Sequence, residues 1–395
     1  MIFKVEFENF TAFEKLNLSL SPRINVIIGS NGTGKTHLLK AIYGLNLIAD
    51  GKFLERSKDA FAATASGKFL RIFATEDNKV GMLASKRASG PTKLRSVSSD
   101  DSVSSITFSG RSQYFEITSS RAVSKSSSKP VYIPTKEVLS LVRGIRHPDH
   151  DRATVEMIFD DSYLDLAEFL VEPGFDESSS DFRADPRSYN VVRKLVDLVG
   201  GRYTLHDDGG FHFQPGKYEE AARSKNDPLR SDSQTARAYQ DSKRIRFRPE
   251  GGPTFSTAMT AEGYRKIGVL HRLLSNGSIN LKESGTLLWD EPEANLNPRL
   301  MKELVQAILE LSRNGQQIIL ATHDYVLLKW LDLLMDKVGK EDHVRFHVLQ
   351  RQSRDGPISL YSTEEYEQLV TTGISETFGK LYEAEIERSV KGIEL

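Results

Sequence analysis

The stretch "INVIIGSNGTGKTHLLKAIYGL", Ile24 to Leu45, decides the fold. It opens on a mainly apolar run, Ile24 to Ile28, of the kind that suits a strand buried on both faces. A glycine-rich loop follows, and from Thr36 the apolar residues Leu38, Leu39, Ile42 and Leu45 fall at helical spacing. The loop "GSNGTGKT", Gly29 to Thr36, fits the phosphate-loop pattern GxxxxGK[ST] in full, between a strand and a helix as the pattern requires. Gly29, Gly32 and Gly34 let the backbone wrap closely, so that its N–H groups face an anion at the helix N-terminus. Lys35 is placed to reach the β- and γ-phosphates of a nucleotide, and Thr36 to offer a hydroxyl to Mg²⁺. The candidate nucleotide-binding residues are therefore Gly29, Ser30, Asn31, Gly32, Thr33, Gly34, Lys35, Thr36 and His37.

A phosphate loop needs an acidic partner downstream. "TLLWDEPEANLNP", Thr286 to Pro298, supplies one: an apolar run ends in two adjacent carboxylates, Asp290 and Glu291. Like charges side by side are costly unless a cation or a reaction uses them. Asp290 is read as the second Mg²⁺ residue and Glu291 as the general base for the attacking water. The alternative is a solvated acidic strand end. Further on, "QQIILATHDYVLL" puts His323 at the end of another apolar strand, where it would contact the γ-phosphate. An isolated histidine there would be a packed structural residue. The catalytic candidates are Glu291, His323 and Lys35, and the expected cofactors are ATP and Mg²⁺.

Composition sets outer bounds. The chain has 395 residues, 38% of them hydrophobic, enough for a sizeable core and for two or three domains. With 53 basic and 54 acidic residues the formal net charge is −1, so any nucleic-acid contact must come from a local patch. The absence of cysteine excludes disulfides and thiolate metal sites. The start of the chain lacks a signal-peptide core, and no run reaches membrane-spanning length. A cytoplasmic protein with no membrane partner is expected.

Elsewhere the pattern is read as follows. Residues 2–9 alternate as a strand, paired with Leu16 to Leu20. From about Lys68 to Pro134 short antiparallel strands are expected, "KFLRIFATE" (Lys68 to Glu76) among them. Residues 152–200 read as helical, "RYTLHDDGGFHFQ" as a hairpin, and Gly216 to Asp241 as a polar run without periodicity. Strand and helix then alternate from Ile245, which implies a parallel sheet. "KRIRFR", Lys243 to Arg248, puts Arg244, Arg246 and Arg248 on one strand face, which would track phosphates or pair with acidic side chains. "RHPDHD", Arg146 to Asp151, is either a metal cluster or a loop with chance histidines.

The phosphate loop, "LLWDEP", "ANLNP" and "ATHD" together resemble the ATP-binding-cassette (ABC) ATPases, and their SMC, RecF and OLD branch more than the transporters. The opening "FENFTAFEKLNLSLSPRINVIIGSNGTGKT" is similar to that branch. The likeness covers roughly the first 45 residues, a middle piece and about residues 255–330. It implies an α/β fold with a mixed or parallel sheet, an antiparallel β subdomain and a helical insertion. The expected division is 1–140 and 245–395 as the two ATPase lobes, with 141–244 inserted between them. It further implies head-to-tail pairing, in which each nucleotide also meets the partner's signature and D-loop. The D-loop would be "EANLNP" with Asn295 and Asn297. The signature would be Ala261, Glu262 and Gly263, with Ala261 where the family has serine, a lost contact worth around 1–3 kcal/mol if buried. Thr260 or backbone N–H groups at this helix start are the candidate substitutes, with Arg265 or Lys266 as candidate added charge. "YIPTKEVLSL" matches the segment with the Q-loop role, carried by Glu137 or Lys136.

Long heptads are missing between phosphate loop and signature, so an SMC-type coiled-coil arm is not expected. A nuclease domain in the same chain is not expected either, because the stretch after His323 is short and carries no second acidic cluster. The whole pattern is similar to stand-alone ATPases of bacterial antiphage defence, the ATPase subunits of the PARIS system among them. That resemblance implies a homo-oligomer, a separately encoded TOPRIM-type effector nuclease, and a phage trigger protein such as a DNA mimic. The alternatives are a RecF-like DNA clamp and a scaffold that binds nucleotide without hydrolysing it.

Overall fold

The computed structural model describes residues 1–49, 58–87, 89–99, 101–119, 129–147, 149–173, 181–182, 186–220, 245–279, 281, 285–351, 353, 356–369 and 373–391. Strands β1 (Ile2–Phe10) and β2 (Phe13–Ser19) open the chain, and β3 (Ile24–Ile28) runs into helix α1 (Lys35–Ala49). Helix α2 (Lys58–Phe73) precedes β4 (Thr92–Ser98), β5 (Val103–Phe108), β6 (Glu116–Ser119) and β7 (Val131–Ile133). Then come α3 (Val142–Ile145), α4 (Arg152–Ile158), α5 (Asp161–Val171), β8 (Asp181–Phe182) and α6 (Pro186–Val199). The hairpin β9 (Gly201–Leu205) and β10 (Phe211–Glu220) leads to β11 (Ile245–Pro249) and β12 (Phe255–Ser256). Next are α7 (Glu262–Ser275), β13 (Leu287–Asp290), α8 (Met301–Arg313), β14 (Ile318–Thr322) and α9 (Tyr325–Leu334). The hairpin β15 (Arg345–Arg351) and β16 (Ile358–Thr363) and helix α10 (Gly373–Lys391) follow.

The chain forms two units: Met1–Lys125 with Leu288–Glu293 and Gln317–Leu395, and Ser126–Leu287 with Ala294–Gln316. In the first, β2-β1-β4-β5-β6 make an antiparallel sheet. Its register sets Val5 against Leu18 and Phe7 against Leu16, all buried, which is what the alternation of apolar residues demands. A second sheet in this unit runs β16-β15-β3-β14-β13. Strands β14 and β15 flank β3 in parallel, and β16 closes the edge antiparallel. Every residue of β3 and β14 is buried, as an apolar run covered on both faces should be.

One expected strand is a helix. "KFLRIFATE" lies in α2 as far as Phe73, and Ala74, at φ 48°, ends it. The reason is packing on α1. The Phe69 ring sits where a Cβ on Gly44 would lie 2.6 Å away, so glycine admits the aromatic face of α2. Phe69 also meets Phe115 at 5.9 Å and Phe10 at 6.4 Å. Phe69, Leu70 and Ile72 are buried on that face, a periodicity too short to separate from a strand by sequence alone.

In the second unit β10 pairs with β9, β11 and β12, and β11 with β8. Helices α5, α6, α7 and α8 supply the core residues Leu166, Leu170, Val192, Leu195, Leu270, Leu273, Val305 and Ile308. Arg272 is buried in α7 and caps the end of α5, donating through Nε to Leu170 O at 2.8 Å and through Nη2 to Glu172 O at 2.9 Å. Residues 152–158, 161–171 and 186–199 are helical and the hairpin of Arg202 to Gln214 is present, as expected, but β10 runs on to Glu220, so the start of the stretch read as a polar run is strand, paired with β11. Within this unit the Val131 N–H, at the start of β7, donates to Thr286 O at 3.0 Å.

Candidate functional site

The first unit gathers the phosphate loop, the Asp-Glu strand end and the strand-end histidine. Strand β3 ends at Ile28 and the loop turns through Gly32 (φ 79°) and Gly34 (φ 86°), left-handed conformations that favour glycine. Gly29 is needed for space: a Cβ there would lie 2.5 Å from Thr33 Oγ1 and 2.8 Å from Leu349 O. Lys35 begins α1, is buried, and donates through Nζ to Gly29 O at 2.7 Å. Burial lowers its ammonium from the ordinary lysine range, against the pull of Glu291, Asp290 and Glu293. Ser30, Asn31, Gly32, Thr36 and His37 are exposed, Thr33 is buried, and Gly34 lies between. The His37 ring packs edge-on against Phe73 at 5.6 Å.

Asp290 is the last residue of β13, and its Oδ2 accepts from Thr36 Oγ1 at 2.8 Å. Two hard oxygen donors from opposite ends of the sequence thus meet beside Lys35, which is the donor chemistry Mg²⁺ takes. Glu291 has φ 48°, unusual for a non-glycine residue, and its N–H donates to Ala321 O at 2.9 Å. Its Oε1 lies 3.0 Å from Nδ1 of His323. The Asp of "ATHD", Asp324, caps α9 by accepting from Leu327 N–H at 2.7 Å.

Two residues here were missed by sequence reasoning. Glu293 is buried, and its Oε1 accepts from Thr322 Oγ1 at 2.7 Å. Burial raises its carboxyl above the usual range. Arg351 donates from Nη2 to Gly32 O at 3.2 Å. The parallel pairing of β15 with β3 brings it to the loop, and nothing local in the sequence announces that.

The remaining candidates lie in the second unit. Glu137 is buried, bonded to Ser140, and paired with Arg265 Nε at 2.8 Å. Arg265 also donates to the carbonyls of Thr257 and Thr260, so its charge is used inside this unit. Thr260 Oγ1 donates to Thr257 O at 2.8 Å and accepts from Tyr203 OH at 2.9 Å, so its hydroxyl is engaged too. Ala261 is the exposed N-cap of α7 and has no side-chain capping bond. Asn295, at φ 60°, donates to Glu262 Oε1 at 2.8 Å. A Cβ on Gly263 would lie 3.1 Å from Asn295 O. The segments read as signature and D-loop are therefore in direct contact. Asn297 caps the turn that follows, accepting from Arg299 N–H at 3.0 Å.

The other sequence candidates are locally occupied. Arg248 pairs with Glu219 at 3.2 Å, and Arg246 lies opposite Glu219 in the register, while Lys243 and Arg244 lie outside the described residues. In "RHPDHD", His147 approaches Asp149 at 3.7 Å, His150 Nδ1 meets Gly144 O, and Asp151 caps α4. Among the described residues no group of three or more His, Asp or Glu is arranged to hold a metal ion. Among them, too, no helix is long and apolar enough to cross a membrane.

Residues 1–135 match a family model described as "AAA ATPase domain", and residues 163–329 one described as "AAA domain, putative AbiEii toxin, Type IV TA system". The DNA replication and repair protein RecF of Erwinia tasmaniensis is 26% identical over 195 residues, 48% of this chain and 44% of that protein. RecF of Ligilactobacillus salivarius is 48% identical over 42 residues, 11% of each chain. The chain thus spans less than half the length of the curated relatives it matches. An SMC head solved with the C-winged helix domain of ScpA superposes with a TM-score of 0.50 at 15% identity, covering 93% of this chain and 99% of that one. The fold is that of an ABC-type P-loop ATPase head, α/β with mixed parallel and antiparallel sheets. Two AAA ATPase domain models and a partial likeness to RecF thus fall on this one chain.

Proposed function

We propose that this chain binds and hydrolyses ATP and serves as the sensor and scaffold subunit of a bacterial antiphage defence complex. The observation that carries the ATPase reading is the bond between Thr36 and Asp290, with Glu291 next in sequence and held against His323. Thr36 and Asp290 would hold Mg²⁺, which when bound neutralises phosphate charge. The loop amides and Lys35 would cradle the phosphates. Glu291 would take the proton of the attacking water at a carboxylate oxygen, and His323 and Lys35 would face the developing charge on the γ-phosphate. The residues expected to act on a second copy are Ala261, Glu262, Gly263, Asn295 and Asn297, in a head-to-tail pair. Glu137 or Lys136 is proposed for the Q-loop role, toward Mg²⁺ or the attacking water; Glu137 is paired with Arg265 within its own unit.

The defence reading draws on the resemblance set out above and on the match of residues 163–329 to a domain described through a type IV TA system. It places the protein in the cytoplasm as a homo-oligomer, organised as lobes 1–140 and 245–395 with 141–244 carrying partner or trigger contacts. An effector nuclease encoded separately would be held on it and released when a phage protein is sensed. Purifying Glu291→Gln from its native host, with mass spectrometry and native mass determination, tests this. A co-purifying nuclease on a large homo-oligomer is expected. A second reading, a RecF-like DNA clamp, is favoured by the RecF relatives, and DNA retained without protein partners would select it. A wild-type protein that binds ATP without turnover would leave the nucleotide a structural part of a scaffold.

A further inference from the structure

We propose that Glu293 is a positioning residue: its buried carboxylate fixes the strand-end loop that presents His323 to Glu291. The inference rests on the ATPase reading for its kinetic consequence, but its structural content does not. Glu293 Oε1 accepts from Thr322 Oγ1 at 2.7 Å and from the His323 N–H at 3.4 Å. Thr322 Oγ1 in turn accepts from the Asp324 N–H at 2.9 Å. One oxygen thus organises three consecutive residues, Thr322, His323 and Asp324, immediately before α9. The same Oε1 lies 3.9 Å from His323 Nδ1, on which Glu291 Oε1 closes to 3.0 Å. The imidazole nitrogen therefore sits between two carboxylates, one buried and one half-buried.

Packing alone does not explain an acid here. Glu293 is 8% exposed, and its Oε2 has no hydrogen-bond partner among the described residues. Burying a carboxylate costs more than burying an apolar side chain of its size. What leucine would lack at this place is the acceptor, and the acceptor is directed at the His323 loop. The Glu291 Oε1 contact at 3.0 Å and the backbone held by Glu293 together orient the His323 ring.

The test is a double-mutant cycle read alongside a signal independent of turnover. Glu293→Gln keeps a carbonyl acceptor, whereas Glu293→Leu removes it. Glu293→Leu is expected to slow ATP turnover roughly 10-fold or more with ATP affinity unchanged, and Glu293→Gln to retain most of it. In a His323→Ala background Glu293→Leu should have little further effect, because two residues acting as one are not additive. Equal losses in both backgrounds, or no loss in either, would overturn the proposal. Histidine ring resonances of the isotope-labelled, nucleotide-free protein give the second readout. The His323 signal, assigned by its absence in His323→Ala, should shift in Glu293→Leu and hold in Glu293→Gln. An unmoved signal in both would also overturn it. If the wild type hydrolyses no ATP, the ATPase reading fails, while the ring signal still decides the role of Glu293.

Discussion

Burial decides the charge of two imidazoles in this chain. His271 in α7 and His347 in β15 are held down to about 3, by burial first and then by Arg202 and Arg272 beside the one and Arg345 beside the other. Both stay neutral when folded, while the unfolded chain protonates near the ordinary histidine value of about 6.5. Their stability contribution is therefore complete above about pH 6.5 and is lost as the pH falls toward about 3. Each group contributes a slope of up to about 1.4 kcal/mol per pH unit in that window. Urea midpoints should fall between pH 7.5 and 5.5, and His271→Gln should flatten the fall of the second unit. An unchanged slope would mean that His271 already meets water. Lys35 is the residue with a direct claim on the substrate. Lys35→Ala should weaken ATP binding roughly 10-fold or more by calorimetry, since it removes a charge-assisted donor. Glu291→Gln should bind ATP normally and stall, and hydrolysis at the wild-type rate would refute its assignment as the base.

Elements in this fold meet where glycine lets them. Gly44 in α1 receives the Phe69 ring, and Gly268 in α7 receives Tyr203, whose ring would lie 2.3 Å from an added Cβ. Gly44→Ala and Gly268→Ala should each destabilise their own unit by about 1–3 kcal/mol, measured by denaturant titration, because a rigid ring cannot yield as a flexible chain end would. This also marks how far the sequence could be read. The phosphate loop, Asp290, Glu291 and His323 were legible because each ends an apolar run and belongs to a spaced motif. The parallel strands β3 and β14 were legible for the same reason, whereas β11, read as the first strand of that parallel alternation, pairs antiparallel with β10. α2 was not, because a four-residue apolar cluster fits either period, and the contact that selects helix comes from Gly44 in another element. Glu293 and Arg351 were invisible for a related reason: burial and strand neighbourhood are properties of the folded chain. The hairpin β15–β16 and helix α10 lie beyond the last motif and were not anticipated.

At the scale of the whole molecule, the proposed head-to-tail pairing requires that one copy complete the site of another. Ala261 gives a way to test this without damaging the fold. It is exposed, caps α7, and carries no side-chain capping bond, so aspartate is a better cap than alanine at that place. Ala261→Asp should therefore leave the thermal midpoint unchanged or raised. In a paired site, however, the new charge would face the partner's phosphates and repel them. Lys35→Ala disables the copy's own phosphate loop instead. Each variant alone should be inactive. Mixed in equal amounts, random pairing makes half the dimers mixed, each with one intact composite site, so roughly one quarter of wild-type turnover should return. Ala261→Ser should act in the opposite direction and speed turnover by restoring a hydroxyl. Mixing that gives no more than the sum of the separate variants would show that each chain works alone, and the signature and D-loop assignments would fall with the pairing.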